Sequence, residues 1–185
     1  MEYKIELLDK EKRKDYVLLN GYESDEFYDV KIEEDFDHNV SVKLIRKKAK
    51  EKMIHTPEEY DFPDRLYQDY FPNAKAYGII KNNDLIAVIE IYEESWSNRL
   101  RITEVFVEKK YRRKGLATLL MNLIKEIAKS NKNRAIILET QTSNIGAIDF
   151  YHAQGFVFDG IDISSYHNDD IKRNEMRLEL AYFLD

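Results

Sequence analysis

Five of the six residues from Lys109 to Lys114 are cationic, in a chain whose formal net charge is -6. They lead into the stretch Arg112-Arg113-Lys114-Gly115-Leu116-Ala117-Thr118, between a strand-like run ending in Val105-Phe106-Val107 and a strongly patterned helix. The first N–H groups of a helix have no intrahelical acceptor, and the helix dipole favours an anion beside them. Successive amides in such a turn form an anion-binding concavity. The side chains of Arg112, Arg113 and Lys114 add charge at its rim. Gly115 lets the backbone come close to a ligand and take a positive φ, and Ala117 is small enough to do the same. The chemistry this predicts is the holding of a phosphorylated ligand. The turn is not a GxxxxGK[ST] loop and not a GxGxxG fingerprint. Taken alone, it could equally be a solvated basic loop.

A second constellation lies downstream. Asn144, Ala147 and Tyr151 are spaced by three and then four residues, so they share one helix face. They follow a strand that ends in the polar residues Glu139-Thr140-Gln141, and Gly155-Phe156 follows them. Tyr151 on that face could hold its hydroxyl at a sheet opening; the plainer alternative is a packing aromatic with a wet hydroxyl.

The elements that must position these residues are legible after residue 73. Ala76–Lys81 and Leu85–Tyr92 read as strands joined by Asn82-Asn83-Asp84, a hairpin signal. A short connection with Trp96 and Asn98 leads to a strand over Leu100–Val107. Leu116, Leu119, Leu120, Leu123, Ile124 and Ile127 recur at helical spacing, predicting an amphipathic helix over Gly115–Lys129. Ala135–Gln141 reads as a buried strand. Asn144–Ala153 reads as a helix with Asn144 as N-cap and Gly155 as its stop. Phe156–Ile163 and Glu175–Leu184 are closing strands joined by a polar loop. Before residue 73 the pattern is irregular. Tyr3–Leu8 predicts a first strand, Lys10–Leu19 a first helix, Val40–Ile45 a strand and Arg46–Met53 a cationic helical stretch. Glu23–Asp37 holds eight acids and one lysine; it reads as soluble surface, or as the entrance for a polycationic substrate. Pro57, Pro63 and Pro72 predict short broken pieces. The fold expected is α/β of the α+β kind, a mixed, mostly antiparallel sheet flanked by helices. Residues 1–185 are read as one domain, with 1–72 on the acceptor side and 73–185 as the core.

Composition narrows the classes. A chain of 185 residues with 43% hydrophobic and 12% aromatic residues can build one core. It has no cysteine, which excludes disulfides and thiolate metal sites and fits a reducing, cytoplasmic setting. Met1 is followed directly by charged residues, so a secretion signal is not expected, and no apolar run approaches the ~18 residues of a membrane span. Acidic balance disfavours nucleic acid as a partner and is compatible with a cationic small-molecule substrate. His38, His55, His152 and His167 are scattered without ligand spacing, so no metal is expected. A homodimer through paired sheet edges is an expectation from the edge strands alone.

The RxxGxA turn opening a helix, followed by NxxAxxFY and then GF, resembles the GNAT family of acetyl-CoA-dependent N-acetyltransferases, over roughly Tyr77 to the C-terminus. Within it, Leu138-Glu139-Thr140-Gln141, Phe150-Tyr151-His152, Gly155-Phe156, Trp96 and the aromatic end Leu180-Ala181-Tyr182-Phe183-Leu184 resemble the streptothricin acetyltransferases. Two departures stand out. Ile102-Thr103-Glu104 replaces an Ile-Glu-Asp run, and Ala117 replaces a second glycine of the turn. The resemblance implies acetyl-CoA as cosubstrate. Backbone groups of Val105, Phe106 and Val107 would meet the pantetheine arm, their strand splaying from its neighbour to admit it. Arg112, Arg113, Lys114, Gly115, Leu116, Ala117 and Thr118 would hold the pyrophosphate, Asn144 would bond the cofactor arm, and Tyr151 would protonate the departing thiolate.

Such a transfer needs a neutral amine, whereas a lysine-like amine of pKa ~10.4 is mostly charged at neutral pH. A carboxylate must take its proton; Glu104 is the first candidate and Glu139 the second. A backbone N–H of the Val105–Val107 strand would face the oxyanion. A tyrosine of unperturbed pKa ~10 stays protonated at pH 7. Trp96, Glu104 and Glu139 are the expected substrate-side residues. The acceptor expected is an amine of a streptothricin-type antibiotic. A polyamine, a peptide amine or a non-catalytic acetyl-CoA-binding module are the alternatives.

Overall fold

Local sequence signals set most element boundaries in the computed structural model, which describes residues 3–59 and 63–184. In chain order these are β1 (Ile5–Leu7), α1 (Lys10–Arg13), β2 (Tyr22–Glu34), β3 (Val40–His55), β4 (Lys75–Lys81), β5 (Asp84–Glu94), β6 (Arg99–Val107), α2 (Leu116–Ser130), β7 (Ala135–Gln141), α3 (Ile145–Ala153), β8 (Val157–Asp162), α4 (Asp170–Arg173) and β9 (Arg177–Phe183). Seven strands join in the order β1-β4-β5-β6-β7-β9-β8, and β2 pairs with β3. β1, β4, β5 and β6 pair antiparallel in succession, and β6 pairs parallel with β7. This is the mixed, mostly antiparallel sheet with helices that the sequence predicts. Among the described residues no helix is long and apolar enough to cross a membrane.

The chain divides into two compact units, one of Met1–Asn20, Pro57–Leu138 and Ala181–Asp185, the other of Gly21–Thr56 and Glu139–Leu180. The long β2–β3 segment falls in the second of these units.

In the first unit, Asn82 and Asn83 both take positive φ (53° and 70°) in the β4–β5 turn, a conformation asparagine tolerates better than most residues. α2 packs on β5 and β6 through Leu116, Leu120, Met121, Ile124 and Ala128. Leu119, expected in that stripe, is 39% exposed. Full burial of side chains such as Leu120 and Ile124 is worth roughly 1.5–3 kcal/mol each. A second cluster gathers Leu8, Leu18, Leu66, Tyr67, Val88 and Phe106. Its pin is Tyr67, whose hydroxyl donates to the Leu8 carbonyl at 2.7 Å and accepts from the Ala76 N–H at 3.2 Å. Tyr67→Phe strips both buried backbone groups of their partner. We expect it to lower stability by about 1–3 kcal/mol, read as a lower urea midpoint at unchanged m-value.

The helix expected over Lys10–Leu19 is a single turn, Lys10–Arg13, capped by Asp9, whose carboxylate accepts from Glu11 N and Lys12 N. Asp15 turns left-handed at φ 59°. The next residues then bond residues 64–66 instead of one another, through Asp15 N to Leu66 O, Leu66 N to Tyr16 O and Leu18 N to Asp64 O. That exchange buries Leu18 to 1% exposure, a gain the isolated segment cannot foresee.

In the second unit, the cationic stretch Arg46–Met53 is not a helix; it continues β3 to His55. The acids of Glu23–Asp37 explain it, because most of them lie on the partner strand β2. Lys43 pairs with Glu33, Lys47 with Asp29, Lys52 with Glu23, and Arg46 with Glu26. Cross-strand opposite charges stabilise a ribbon, and here they override helix propensity. α3 begins as predicted, with Asn144 Oδ1 accepting from the Ala147 N–H at 3.3 Å, and the chain leaves it through Gly155 at φ 89°.

Candidate active site

β6 delivers the chain to the basic turn, and its two edges differ. On one side it pairs with β5 from Glu94↔Arg99 to Ala87↔Val107. On the other, the pairing with β7 covers only Arg99–Arg101. The β7-side edge of β6 from residue 102 to 107 therefore carries no ladder with β7 and offers backbone groups to a ligand. Val105, Phe106 and Val107 lie on this stretch of β6. The Val107 carbonyl accepts from Arg112 Nε at 3.1 Å, which ties the turn back to the strand end.

The turn itself has the conformation that the residue types predict. Arg113 and Gly115 take φ 62° and 81°, and Gly115 is the N-cap of α2 with no side-chain cap. A Cβ at Gly115 would meet nothing within 4 Å, so the glycine is required by its φ rather than by crowding. By helix geometry the Leu116, Ala117 and Thr118 N–H groups have no intrahelical acceptor; Gly115 O receives the Leu119 N–H at 2.9 Å. Arg112, Arg113, Lys114, Gly115 and Thr118 are exposed. Positive charge is gathered rather than dispersed: the ammonium groups of Lys114, Lys110 and Lys81 lie 5.0, 5.3 and 5.4 Å from the Tyr111 ring centroid. The Lys110 ammonium pairs with the Glu108 carboxylate at 2.8 Å.

Glu104 lies three residues before the end of β6, half-buried, directly opposite Glu90 on β5. The register slips here. Glu90 pairs with Glu104 and Ile91 with Ile102, so Thr103 is the residue the ladder skips. Glu90, which sequence reasoning passed over, is 1% exposed. Its oxygens accept from Tyr67 N at 2.7 Å and Thr103 Oγ1 at 2.8 Å. Burial pushes its carboxyl above the usual range, against the pull of those two donors and of Lys10. The signal that could have found it is a lone acid in the apolar run Leu85–Ile91.

Trp96 lies in the connection that starts β6, so most of the strand's nine residues separate it from the turn, roughly 25–30 Å. Its ring is 83% exposed and the Arg99 guanidinium lies 5.7 Å from the ring centroid. The structure therefore does not bring Trp96 to the basic turn.

In the second unit, Tyr151 is buried to 8% exposure with its ring tilted against Phe150 and Phe156 at 5.4 and 5.9 Å. Asn144 spends its Oδ1 on the cap. Glu139 is ion-paired with Arg177 at 2.8 Å, and Arg177 also holds Glu179. Burial pushes the Tyr166 hydroxyl well above the tyrosine range, and the Glu139 charge adds to it. A groove of about 420 Å³ is lined by Glu23, Asp25, Glu26, Lys48, Ile145 and Gly146, among others. Among the described residues no group of three or more histidines or acids could hold a metal ion.

Comparison with known proteins follows this geometry. The family model of the acetyltransferase (GNAT) family matches residues 42–156, more than half of the chain. A streptothricin acetyltransferase of Escherichia coli is 31% identical over 111 residues, which are 60% of this chain and 63% of that protein. Streptothricin acetyltransferase A of Bacillus subtilis (strain 168) is 36% identical over 86 residues, 46% of this chain and 49% of that protein. The chain thus spans about half to two thirds of the length of these relatives. A Bacillus anthracis str. Ames crystal structure, assigned as a streptothricin acetyltransferase and in complex with acetyl coenzyme A, superposes with a TM-score of 0.70 at 22% identity, covering 100% of this chain and 99% of that one.

Proposed function

The chain belongs to the GNAT acetyltransferase family, and on that premise we propose that it transfers acetyl from acetyl-CoA directly to a primary amine of a cationic small molecule. A streptothricin-type antibiotic is the leading acceptor, acetylated in the cytoplasm. The observation that carries this reading is the open β6 edge running straight into the uncapped N-terminus of α2. One segment thereby offers strand backbone for the amide-rich pantetheine arm and helix amides for the pyrophosphate. The relatives' substrate name and the acids of the second unit's groove support a cationic acceptor.

In this reading Leu116, Ala117 and Thr118 bind the pyrophosphate through their N–H groups, with Arg112, Arg113 and Lys114 at its rim. A Val105–Val107 amide steadies the oxyanion. Glu104 takes the proton of the attacking ammonium; Glu139 is the weaker candidate, because Arg177 already neutralises it. The neutral amine attacks the thioester carbonyl, the C–S bond breaks as Tyr151 gives its proton to the leaving thiolate, and the second proton that the nitrogen loses in becoming an amide returns Tyr151 to the phenol by way of solvent. Asn144 keeps its amide nitrogen for the cofactor arm, and no covalent enzyme intermediate forms.

The test is free-thiol release from acetyl-CoA over a panel of streptothricin, polyamines and basic peptides. Turnover with streptothricin supports the full reading. Turnover only with another amine replaces the acceptor, and binding of acetyl-CoA without release of thiol removes the enzymatic reading.

A further inference from the structure

We propose that Glu90 is a positioning residue for acetyl transfer, its carboxyl group gripping the bulge at Thr103 and so fixing the course of β6 at Glu104, the residue directly opposite it. The inference rests on the reading that Glu104 takes the amine proton.

Three observations carry it. Glu90 is an acid at 1% exposure inside an apolar strand, where a carboxylate costs stability unless something else is gained. Both its oxygens are committed, Oε2 to Tyr67 N and Oε1 to Thr103 Oγ1, and Thr103 is the one residue the β5–β6 ladder skips. Tyr67 makes its bond from a left-handed backbone at φ 58°, a conformation unfavourable for an aromatic residue and held by its surroundings. The carboxylate thus fastens the bulge from two sides.

The bulge decides where Glu104 points. A residue skipped by the ladder bends its strand and redirects the side chains around it. The groups facing Glu90 are Tyr67 from the preceding loop, Lys10 from α1, and Thr103 and Glu104 from β6.

Burial, the main cause, raises the Glu90 carboxyl above its unfolded value. Its contribution to stability is therefore fully present at low pH and is lost as pH rises through its folded pKa.

The experiment is steady-state thiol release by the full chain, with acetyl-CoA and the fastest amine of the panel, for wild type, Glu90→Gln and Thr103→Val. For Glu90→Gln we expect an undiminished melting temperature at neutral pH and a KM for acetyl-CoA within about twofold. We expect kcat to fall roughly tenfold, the loss falling on kcat and not on KM. Thr103→Val should lower kcat several-fold with the cofactor KM unchanged. A Glu90→Gln profile that superimposes on wild type overturns the role of Glu90 while leaving acetyl transfer intact. Should Glu90→Gln fail to fold, wild-type kcat in Thr103→Val overturns it. A wild-type chain that releases no thiol with any amine brings down both readings.

Discussion

Gly115→Glu is expected to lose acetyl-CoA binding by at least ~100-fold in calorimetric titration. Two effects add. Gly115 sits at φ 81°, where any side chain strains the backbone by about 1–2 kcal/mol. A carboxylate at the N-cap would then stand beside the Leu116–Thr118 amides and compete with the pyrophosphate for them. Loss of two charge-assisted hydrogen bonds, each worth about 1.5–3 kcal/mol, is enough for the expected drop. Gly115→Ala separates the two effects, because its Cβ enters open space. It should melt lower than wild type yet keep affinity within roughly tenfold. Wild-type affinity in Gly115→Glu would place the cofactor elsewhere.

Tyr151→Phe is expected to lower kcat by ~100-fold, the usual scale for a proton-transfer group, with cofactor affinity little changed. The ring is buried between Phe150 and Phe156, so phenylalanine retains the packing and the variant should fold. A thioester's leaving thiolate is a modest base, so solvent can partly replace the tyrosine, which keeps the effect below a total loss. A stopped-flow trace of thiol appearance checks it; full activity would remove Tyr151 from the mechanism.

The core elements were legible because their signals are local. The Asn82-Asn83 turn, the α2 stripe, the Asn144 cap and the Gly155 stop each occupy a few neighbouring residues, and each is found where its residue types demand. Two segments were misjudged because their partners are distant in sequence. Arg46–Met53 has helical composition, yet its cations belong to acids about 20–30 positions earlier on β2. Lys10–Leu19 looks helical until residues 64–66 claim its backbone. The site divides in the same way. The basic turn is one contiguous stretch and was read whole, including the need for Gly115. Glu90 was missed because its meaning lies across the sheet, in the Thr103 bulge and the Tyr67 amide, and no spacing within β5 announces either. Trp96 lies at the start of β6, at the opposite end of the strand from the turn.

The most direct test is a crystal structure of this protein with acetyl-CoA. The account predicts the pyrophosphate within about 3 Å of the Leu116, Ala117 and Thr118 nitrogens, and the pantetheine arm along the β7-side edge of β6 beside Val105–Val107. A cofactor lodged in any other groove, with those amides facing only water, would contradict it.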